Sequence, residues 1–396
     1  MDKRTVMIFG VGTLQRSIIE RAKAKGLRTV GIDPLEDAAC RDSVDVFEVV
    51  GGQDYEGTID SMRRNNVSAI VTAATDKPLV MMARVAEAMH LPFYSVETAE
   101  WSTDKYLMKQ HFMEAGIPCA KGRLVESVEE LDDFVFPVIV KPRDNSGSRG
   151  VIFCDDKSQL CKAFDEAKSY SRKSSVLVEE YIEGKEYSIE SLHFEGKTEV
   201  IQITEKHTTP FPYNVEVGHV QPAGLSEELT GEISMLIRQI SDALHFENCA
   251  SHTELKINNR GIFIIETSPR LGGDYITSML VPLSTGINIE DQLLNIALGN
   301  SADTVAGRRD GAAAVSFLQL EKGTVADISP AIQEVAHWPH VKEFSFSLKE
   351  GDIVGPITSS LNRYGEFVVA ASNREEAISY IDRYSKEISN MIQIEP

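Results

Sequence analysis

The chain has 396 residues, of which 42% are hydrophobic, and a formal net charge of −20. This length and hydrophobic content can build two or three domains with ordinary cores. The acidic balance argues against a nucleic-acid partner, because contacts with phosphates require a basic face. It also means that a site for an anionic nucleotide would have to concentrate its positive charges locally.

The apolar runs are too short to cross a membrane and no signal peptide is recognisable, so we expect no membrane partner. The five cysteines are scattered, and none forms a C-x-x-C pair. This usage is typical of reduced thiols, and it favours a cytoplasmic protein.

Apolar β-runs alternate with helical segments over the first hundred residues. Strands are predicted at 5–9, 27–32 and 67–72, with helical patterns up to residue 25 and again at 55–65. Such alternation predicts a parallel, doubly wound sheet.

The first strand leads into a turn, Gly10-x-Gly12, that resembles part of a dinucleotide-binding fingerprint. Asp33 follows at the end of the second strand, but Gln15 stands where the third glycine should be. A tight strand-to-helix turn explains the glycines equally well, so we do not expect a dinucleotide. The loop 72–78 lies at the sheet edge where such folds bind ligands. It is either a contact to a second substrate or an ordinary connection.

A helix is predicted from about residue 102 to 115, with Ser102 or Thr103 as its N-cap. Lys105 and Lys109 lie one turn apart on it, a spacing that by itself is typical of a solvated face.

The next strand, 136–141, is apolar and ends in Lys141, whose ammonium should need an anionic partner. A Gly/Ser-rich loop at 142–150 and a further strand at 151–153 complete a hairpin. Backbone amides of such a loop can fold over phosphates, although the loop lacks the G-K-[ST] of a Walker motif.

The strand predicted at 175–182 is joined to another at 187–194 by a short charged linker. Exposed backbone groups of such a linker can read the edge of an adenine, and the carboxylate of Glu186 can bind two ribose hydroxyls. A plain charged turn is an equally open interpretation.

A β-hairpin is predicted over 251–265, with one carboxylate on each strand. A three-residue loop at 259–261 would pair Asn258 with Ile262 and place Glu254 directly opposite Glu266. Two facing carboxylates repel each other unless a cation lies between them, and glutamate oxygens suit Mg²⁺. For an isolated pair of acids, a surface hairpin with solvated carboxylates is the alternative.

The remainder of the chain is predicted as a strand at 200–206, a Pro/aromatic loop at 207–222, a helix at 226–244 and a helical region ending near residue 299. From residue 312 the pattern changes to short strands and turns with a closing helix at 374–391. This pattern predicts a small C-terminal α+β domain with a lid or scaffold role.

Taken in order, these features resemble an ATP-grasp enzyme over nearly the whole chain. The resemblance implies an ATP-grasp fold of α/β and α+β class. A Rossmann-like parallel-sheet domain at 1–100 precedes a grasp domain at 101–305, and the small α+β domain at 306–396 follows it. The grasp domain is expected to divide into a lid subdomain at about 120–182 and a larger metal-binding subdomain at about 183–305.

The resemblance also implies roles for individual residues. The phosphate-binding positions are matched by Lys105 and Lys141, and the ribose position is matched by Glu186. The glycine-rich lid is matched by Asn145, Ser146, Gly147, Ser148 and Gly150. The adenine hinge is matched by Glu179, Glu180, Tyr181 and Ile182. Glu254 and Glu266 match the ligands of Mg²⁺ (or Mn²⁺), and Arg270 matches the catalytic arginine. Ser268 stands where the family usually has Asn, and serine is a weaker metal ligand.

Within the superfamily, the segments at 252–256 and 269–275 and the Glu216-x-x-His219 pattern resemble the amino-acid and dipeptide ligases. The biotin carboxylase and carbamoyl phosphate synthetase branch and the purine ligases are similar more distantly. The residues implied for substrate binding are Glu216, His219, His252, Gly272 and Gly273.

The implied chemistry activates a carboxylate with ATP to an acyl phosphate, which an amine then attacks, so the partners are small carboxylates and amines. A homodimer is left open, and His207, His219 and His252 are candidates for the base. Two alternatives stay open: a bicarbonate-using or purine-biosynthesis ATP-grasp enzyme, and a nucleotide-binding regulatory protein without turnover.

Overall fold

The computed structural model describes residues 4–131, 133–145, 147 and 149–396. Its strands in chain order are β1 (Thr5–Phe9), β2 (Arg28–Asp33), β3 (Val46–Val49), β4 (Val67–Val71), β5 (Gly122–Val125), β6 (Val138–Pro142), β7 (Ile152–Cys154), β8 (Val176–Glu180), β9 (Lys185–Phe194), β10 (Lys197–Thr208), β11 (Glu216–Gln221), β12 (Cys249–Asn258), β13 (Gly261–Ser268), β14 (Ala312–Phe317), β15 (Gly323–Asp327), β16 (Val341–Phe346), β17 (Ile353–Val354), β18 (Gly365–Ala371) and β19 (Gln393–Glu395).

The helices in chain order are α1 (Arg16–Ala24), α2 (Tyr55–Arg64), α3 (Leu79–Met89), α4 (Val96–Thr103), α5 (Lys105–Glu114), α6 (Leu160–Tyr170), α7 (Glu227–Leu244), α8 (Val281–Thr285), α9 (Ile289–Ala297), α10 (Ser329–Val335) and α11 (Arg374–Met391). A π-helical turn, Ile276–Leu280, leads into α8.

The N-terminal part is built on a parallel sheet with strand order β3-β2-β1-β4. Alternate residues of β1 face opposite sides: Val6 and Ile8 belong to the core shared with α1 and α9, whereas Met7 and Phe9 pack with α2 and α3. Burial on both faces explains the continuous apolar run of β1. The predicted Rossmann-like sheet is confirmed, with β3 as an edge strand that the sequence pattern missed.

The Gly10-x-Gly12 turn is filled by the chain's own side chains. Gln15 accepts a hydrogen bond from the Gly12 amide (3.1 Å) and donates one to the Ala73 carbonyl (2.6 Å). Asp33 accepts from the Val11 amide at 2.9 Å. The residue that breaks the dinucleotide fingerprint is therefore the one that stabilises the turn.

A second, antiparallel sheet has the order β5-β8-β6-β7 and lies in the segment expected to form the lid, so we call it the lid sheet. The hairpin β6–β7 has the predicted form, with Val138 opposite Cys154 and Val140 opposite Ile152. Helix α6 covers one face of the sheet with Leu160, Phe164 and other apolar residues.

The largest sheet has eight strands in the order β13-β12-β9-β10-β11-β14-β18-β16. Helix α7 packs on it and buries Ile233, Ile237 and Ile240. Three strands from beyond residue 306 continue this sheet through the β11–β14 pairing, in which Gly218 lies opposite Ser316. The C-terminal part, which also contains the small sheet β17-β15-β19 and helices α10 and α11, is thus joined edge to edge to the central part.

Two local predictions are wrong. Helix α5 is capped by Asp104, whose side chain accepts from the amides of Tyr106 (3.1 Å) and Leu107 (3.3 Å), while Ser102 and Thr103 end the preceding helix α4. A carboxylate at this position caps a helix as well as a hydroxyl does. The predicted loop 207–222 contains strand β11, whose mixed composition concealed its pairing with β10 and β14.

The five cysteines are free; Cys161 is exposed and the other four are buried. Over the part of the chain that the structure describes, no helix combines the length and the apolarity needed to cross a bilayer.

Candidate active site

A cleft lies between the lid sheet and the large sheet. It brings together nine of the predicted nucleotide-binding residues: Lys105, Lys141, Asn145, Gly147, Glu179, Glu180, Tyr181, Ile182 and Glu186. Glu216, Glu254 and Glu266 line the same cleft. Gly150 instead lines a neighbouring cavity between the lid and residues 358–360. Ser146 and Ser148 lie outside the described residues.

Glu179 holds two lysines at the inner end of the cleft. The Lys141 ammonium lies 2.5 Å from Oε1 of Glu179, and the Lys109 ammonium lies 3.0 Å from Oε2. Burial acts to raise the pKa of Glu179, but the two lysines outweigh it and the pKa falls below its ordinary value. Burial lowers the pKa of Lys141, with the Glu179 charge opposing this effect. Lys141 thus has the anionic partner that its burial required, and the prediction of a solvated Lys109 is wrong.

The predicted hinge connects the lid to the rest of the chain. The Glu180 amide donates to the Lys121 carbonyl (2.8 Å) and the Tyr181 amide to the Pro137 carbonyl (3.1 Å). The Lys256 ammonium lies 4.8 Å from the centre of the Tyr181 ring. These contacts fix one wall of the cleft beside the lid.

Glu186 lies in the cleft wall next to the hinge. Its carboxylate accepts from Lys256 (3.0 Å) and from the side-chain amide of Asn214 (3.2 Å). Both partners come from elements distant in sequence, so Glu186 is more than a residue of a charged turn.

Glu254 and Glu266 lie directly opposite each other on β12 and β13, as predicted. The predicted three-residue loop is wrong, however: the turn has two residues, and Asn258 pairs with Gly261. A bulge between Glu254 and the next residue of β12 shifts the register by one, so the loop error and the bulge cancel.

Each carboxylate of this pair has its own lysine. The Lys206 ammonium donates to Oε1 of Glu254 (2.7 Å), and the Lys105 ammonium lies 2.5 Å from Oε2 of Glu266. Burial acts to raise the pKa of Glu254, but Lys206 and His252 outweigh it and hold that pKa well below its usual range. Glu254 is therefore anionic at neutral pH.

The residues present fit a hard divalent cation, provided that other ligands complete its shell. Among the residues that the structure describes, no three His, Cys, Asp or Glu side chains are grouped to hold a metal. Mg²⁺ is commonly held by one or two carboxylates together with water and substrate phosphates. The Glu254–Glu266 pair, which lines a cleft together with Lys105 and Lys141, matches that pattern.

Arg270 and Ser268 both contact Asp76, a residue of the loop after β4. Arg270 Nε donates to Asp76 Oδ1 (2.7 Å), and the Ser268 hydroxyl donates to the same oxygen (2.7 Å). Burial acts to raise the pKa of Asp76, but the Arg270 charge outweighs it and the pKa falls to about 2. The sequence indicated only that the loop 72–78 lies at a ligand-binding edge, and it did not single out Asp76.

Glu216 lines the cleft and belongs, with His219, to a polar cluster beside it. Glu216 lies 3.4 Å from the Lys206 ammonium and 3.3 Å from the Arg363 guanidinium. Arg363 also donates two hydrogen bonds of 2.9 Å to Asp274. His219 is buried, with Nε2 at 3.6 Å from Asp274 Oδ2.

His252, Gly272 and Gly273 lie beside the carboxylate pair rather than in the cleft wall. His252 Nδ1 lies 2.5 Å from Glu190 Oε1, and the Gly272 amide donates to Glu190 Oε2 (3.2 Å). A Cβ on Gly272 would lie 2.7 Å from His252 Nδ1 and 2.8 Å from Glu190 Oε1, so a larger residue would displace this buried pair. Gly273 packs against Ala74.

The three histidines considered as bases differ in their surroundings. Burial acts to lower the pKa of His252, but the Glu190 carboxylate outweighs it and raises the pKa to about 9. A histidine that is cationic at neutral pH is poorly suited to accept a proton. Burial lowers the pKa of His207, whose side chain is half exposed.

Sequence reasoning missed five charged residues of the site: Lys206, Lys256, Glu190, Asp76 and Arg363. Lys206 had a usable signal, because it ended the strand predicted at 200–206 as Lys141 ended the one predicted at 136–141. Arg363 reaches Asp274 from a C-terminal loop 89 residues away, and no local pattern encodes that contact.

Two family models match the chain. Residues 134–278 match the ATP-grasp domain, and residues 316–391 match the L-amino acid ligase C-terminal domain 2. Alanine–anticapsin ligase of Bacillus subtilis is 26% identical over 268 residues, which cover 61% of this chain and 56% of the ligase. The match thus spans little more than half of that relative.

Solved structures are similar over nearly the whole length. L-amino acid ligase from Bacillus licheniformis has a TM-score of 0.85 and 22% identity, and the match covers 100% of this chain and 99% of that one. The biotin carboxylase domain of Hydrogenobacter thermophilus 2-oxoglutarate carboxylase, in complex with MgADP, ADP and bicarbonate, has a TM-score of 0.74 and 19% identity. That match covers 99% of this chain and 90% of the other. At these identities, the likeness to solved structures shows the fold.

The predicted fold class and enzyme type are confirmed by these matches. The chain thus contains an ATP-grasp domain at residues 134–278 and an L-amino acid ligase C-terminal domain 2 at residues 316–391.

Proposed function

We propose that the protein is an ADP-forming carboxylate–amine ligase that acts on an amino acid through an acyl-phosphate intermediate. A carboxylate oxygen of the first substrate attacks the γ-phosphorus of ATP, and ADP leaves. The amine of the second substrate then attacks the acyl carbon, phosphate leaves, and the nitrogen loses a proton to form the amide.

In this proposal the nucleotide occupies the cleft between the lid and the large sheet. Residues 179–182 bind the adenine, Glu186 the ribose, and Lys105 and Lys141 the phosphates. The lid residues Asn145, Gly147 and Gly150 cover the phosphates and keep water from the acyl phosphate, and Ser146 and Ser148 are assigned to the same lid. The proposal is supported by the convergence of these positions on one cleft from both sheets.

Glu254 and Glu266, with Ser268 as a weaker third ligand, would hold Mg²⁺ or Mn²⁺. Such an ion would supply positive charge that neutralises the negative charge developing on the transferred phosphoryl group. Arg270 is proposed to stabilise the transferred phosphoryl group and the acyl-phosphate oxygens with its planar fork of donors.

Amino-acid binding is proposed for the part of the cleft that Glu216 lines. Glu216 is suited to an ammonium group, because its carboxylate faces the cleft between Lys206 and Arg363. His219 and His252, with Gly272 and Gly273, would shape the space around the reacting carboxylate. The base for the amine is not assigned.

The observation that carries the proposal is the facing pair Glu254 and Glu266, set in the same cleft as Lys105 and Lys141. To test it, the protein is incubated with Mg-ATP and amino acids singly and in pairs, and ADP release is measured. The expected result is a pair that releases far more ADP than either member alone, with a new amide found by mass spectrometry.

Other outcomes contradict this proposal. Stimulation by bicarbonate or by an aminated sugar or nucleotide precursor, but by no amino acid, would assign the site to another branch of the superfamily. Nucleotide binding without turnover on any of these substrates would favour a regulatory protein.

A further inference from the structure

We propose that Asp76 is a positioning residue that holds Arg270 in its working orientation and thereby makes the N-terminal domain part of the active site. This inference rests on the proposed role of Arg270 in phosphoryl transfer. Asp76 itself is not proposed to touch the substrate.

The contact between Asp76 and Arg270 has the geometry of a fork. Arg270 Nε lies 2.7 Å from Asp76 Oδ1 and Nη2 lies 3.5 Å from Oδ2. Nη1 donates to the Leu271 carbonyl (3.1 Å). Two partners therefore fix the plane of the Arg270 guanidinium group. A fixed plane also fixes the direction in which its remaining N–H groups point.

Asp76 also orders the end of β13. Its Oδ1 accepts the hydroxyl hydrogen of Ser268, two residues beyond Glu266 on the same strand face. One carboxylate from the N-terminal domain thus restrains both Ser268 and Arg270, which flank the proposed phosphoryl-transfer position.

The loop that carries Asp76 is itself anchored on the Arg270 segment. Ala73 forms a parallel bridge with Leu271, and the Ala74 amide donates to the Leu271 carbonyl (3.1 Å). Gln15 holds the Ala73 carbonyl from the other side. Because backbone contacts set the loop on this segment, the Asp76 carboxylate has a fixed place from which to hold Arg270.

The test compares Asp76→Asn, Asp76→Glu and a control, Asp291→Asn, in the full-length protein. The control removes a different contact between the N-terminal domain and the rest of the chain, in which Arg21 Nε donates to Asp291 (3.0 Å) away from the cleft. For each variant, kcat and KM for ATP and amino acid are measured. The reaction of Arg270 with phenylglyoxal is followed by peptide mass spectrometry, with the exposed Arg260 as internal reference.

Positioning predicts that Asp76→Asn lowers kcat about 10- to 100-fold with little change in KM for ATP. Arg270 should react several-fold faster with phenylglyoxal while Arg260 reacts at the same rate. Asp76→Glu keeps the charge but displaces the carboxylate, so its kcat should fall between those of Asp76→Asn and the wild type. Asp291→Asn should change neither readout.

Unchanged Arg270 reactivity in a folded Asp76→Asn protein would overturn the inference, as would a wild-type kcat in either Asp76 variant. If Asp76→Asn does not fold, the same two measurements on Asp76→Glu decide: unchanged Arg270 reactivity or a wild-type kcat would overturn the inference. Failure of the proposed function looks different: the wild type would release no ADP with any amino acid, yet Arg270 reactivity would still report whether Asp76 holds the guanidinium.

Discussion

Glu254 and Glu266 form a directly opposed pair on β12 and β13, and each is bound by a lysine from a different element. Lys206 comes from β10 of the same sheet, whereas Lys105 is the first residue of α5. Each carboxylate of the pair is therefore balanced by an ammonium group from a different part of the chain.

Replacing Glu266 with Gln should reduce ligase activity by about 100-fold or more, because it removes one of two anionic ligands of the proposed metal site. Steady-state ADP release at limiting Mg²⁺ is the measurement. Glu183→Gln, on the exposed turn before β9, is the control and should retain full activity. Normal turnover of Glu266→Gln at limiting Mg²⁺ would contradict the assignment of this carboxylate to the metal.

Replacing Lys141 with Ala should weaken nucleotide binding by about 10- to 100-fold, because a charge-assisted contact to phosphate contributes about 1.5–3 kcal/mol. Calorimetric titration with Mg-ADP gives the affinity. Lys109→Ala is a matched control, since Lys109 binds the same Glu179 carboxylate but does not line the cleft. An equal loss in both variants would show that Lys141 acts only through Glu179.

Replacing Glu216 with Gln should raise KM for the amino-acid substrate about 10-fold or more while nucleotide affinity stays the same, because the charge proposed to bind the substrate ammonium is lost. Glu205→Gln offers a comparable change on the neighbouring β10: it breaks an ion pair with Arg374 (2.8 Å) outside the cleft. KM is read from ADP release. A Glu216→Gln protein with unaltered KM would remove Glu216 from the substrate site.

Much of the site could be predicted because the signals are local. Strand, loop and strand around Lys141 follow from an apolar run and a Gly/Ser-rich turn within 20 residues. The Glu254–Glu266 pairing followed from a short hairpin, although the predicted loop was one residue too long and a bulge compensated. Short-range patterns fix which face a residue occupies, but they do not report a bulge.

Contacts between distant segments could not be predicted. Asp76 and Arg270 are separated by 194 positions, and their pairing depends on how the N-terminal sheet docks on the end of β13. The strands beyond residue 306 were expected in a small C-terminal α+β domain, and the sequence did not indicate that three of them extend the central sheet. Periodicity identifies a strand and its buried face, and tertiary packing decides its neighbours.

Glu290 provides a test of the interface between the N-terminal domain and α9. It is buried and accepts from the Ser17 hydroxyl (2.6 Å), and burial raises its pKa to about 7. The unfolded chain ionises at a lower pH than the folded one, so this residue costs stability as pH rises from 4.5 to 7. Glu290→Gln should therefore be more stable than the wild type by about 1–3 kcal/mol at pH 8, with a smaller difference at pH 5.

Thermal unfolding of both proteins across that pH range measures the difference. Glu87→Gln, on the exposed face of α3, is the control and should show no such pH dependence. A constant difference between Glu290→Gln and the wild type from pH 5 to pH 8 would contradict the raised pKa.

The most direct test of the central claim is to trap the acyl phosphate. The protein is incubated with Mg-ATP, hydroxylamine and the amino acid that supports ADP release, and the products are analysed by mass spectrometry. Phosphorylation of the substrate carboxylate predicts the hydroxamate of that amino acid, formed in step with ADP and inorganic phosphate. Formation of AMP and pyrophosphate, or ADP release without any hydroxamate, would contradict it.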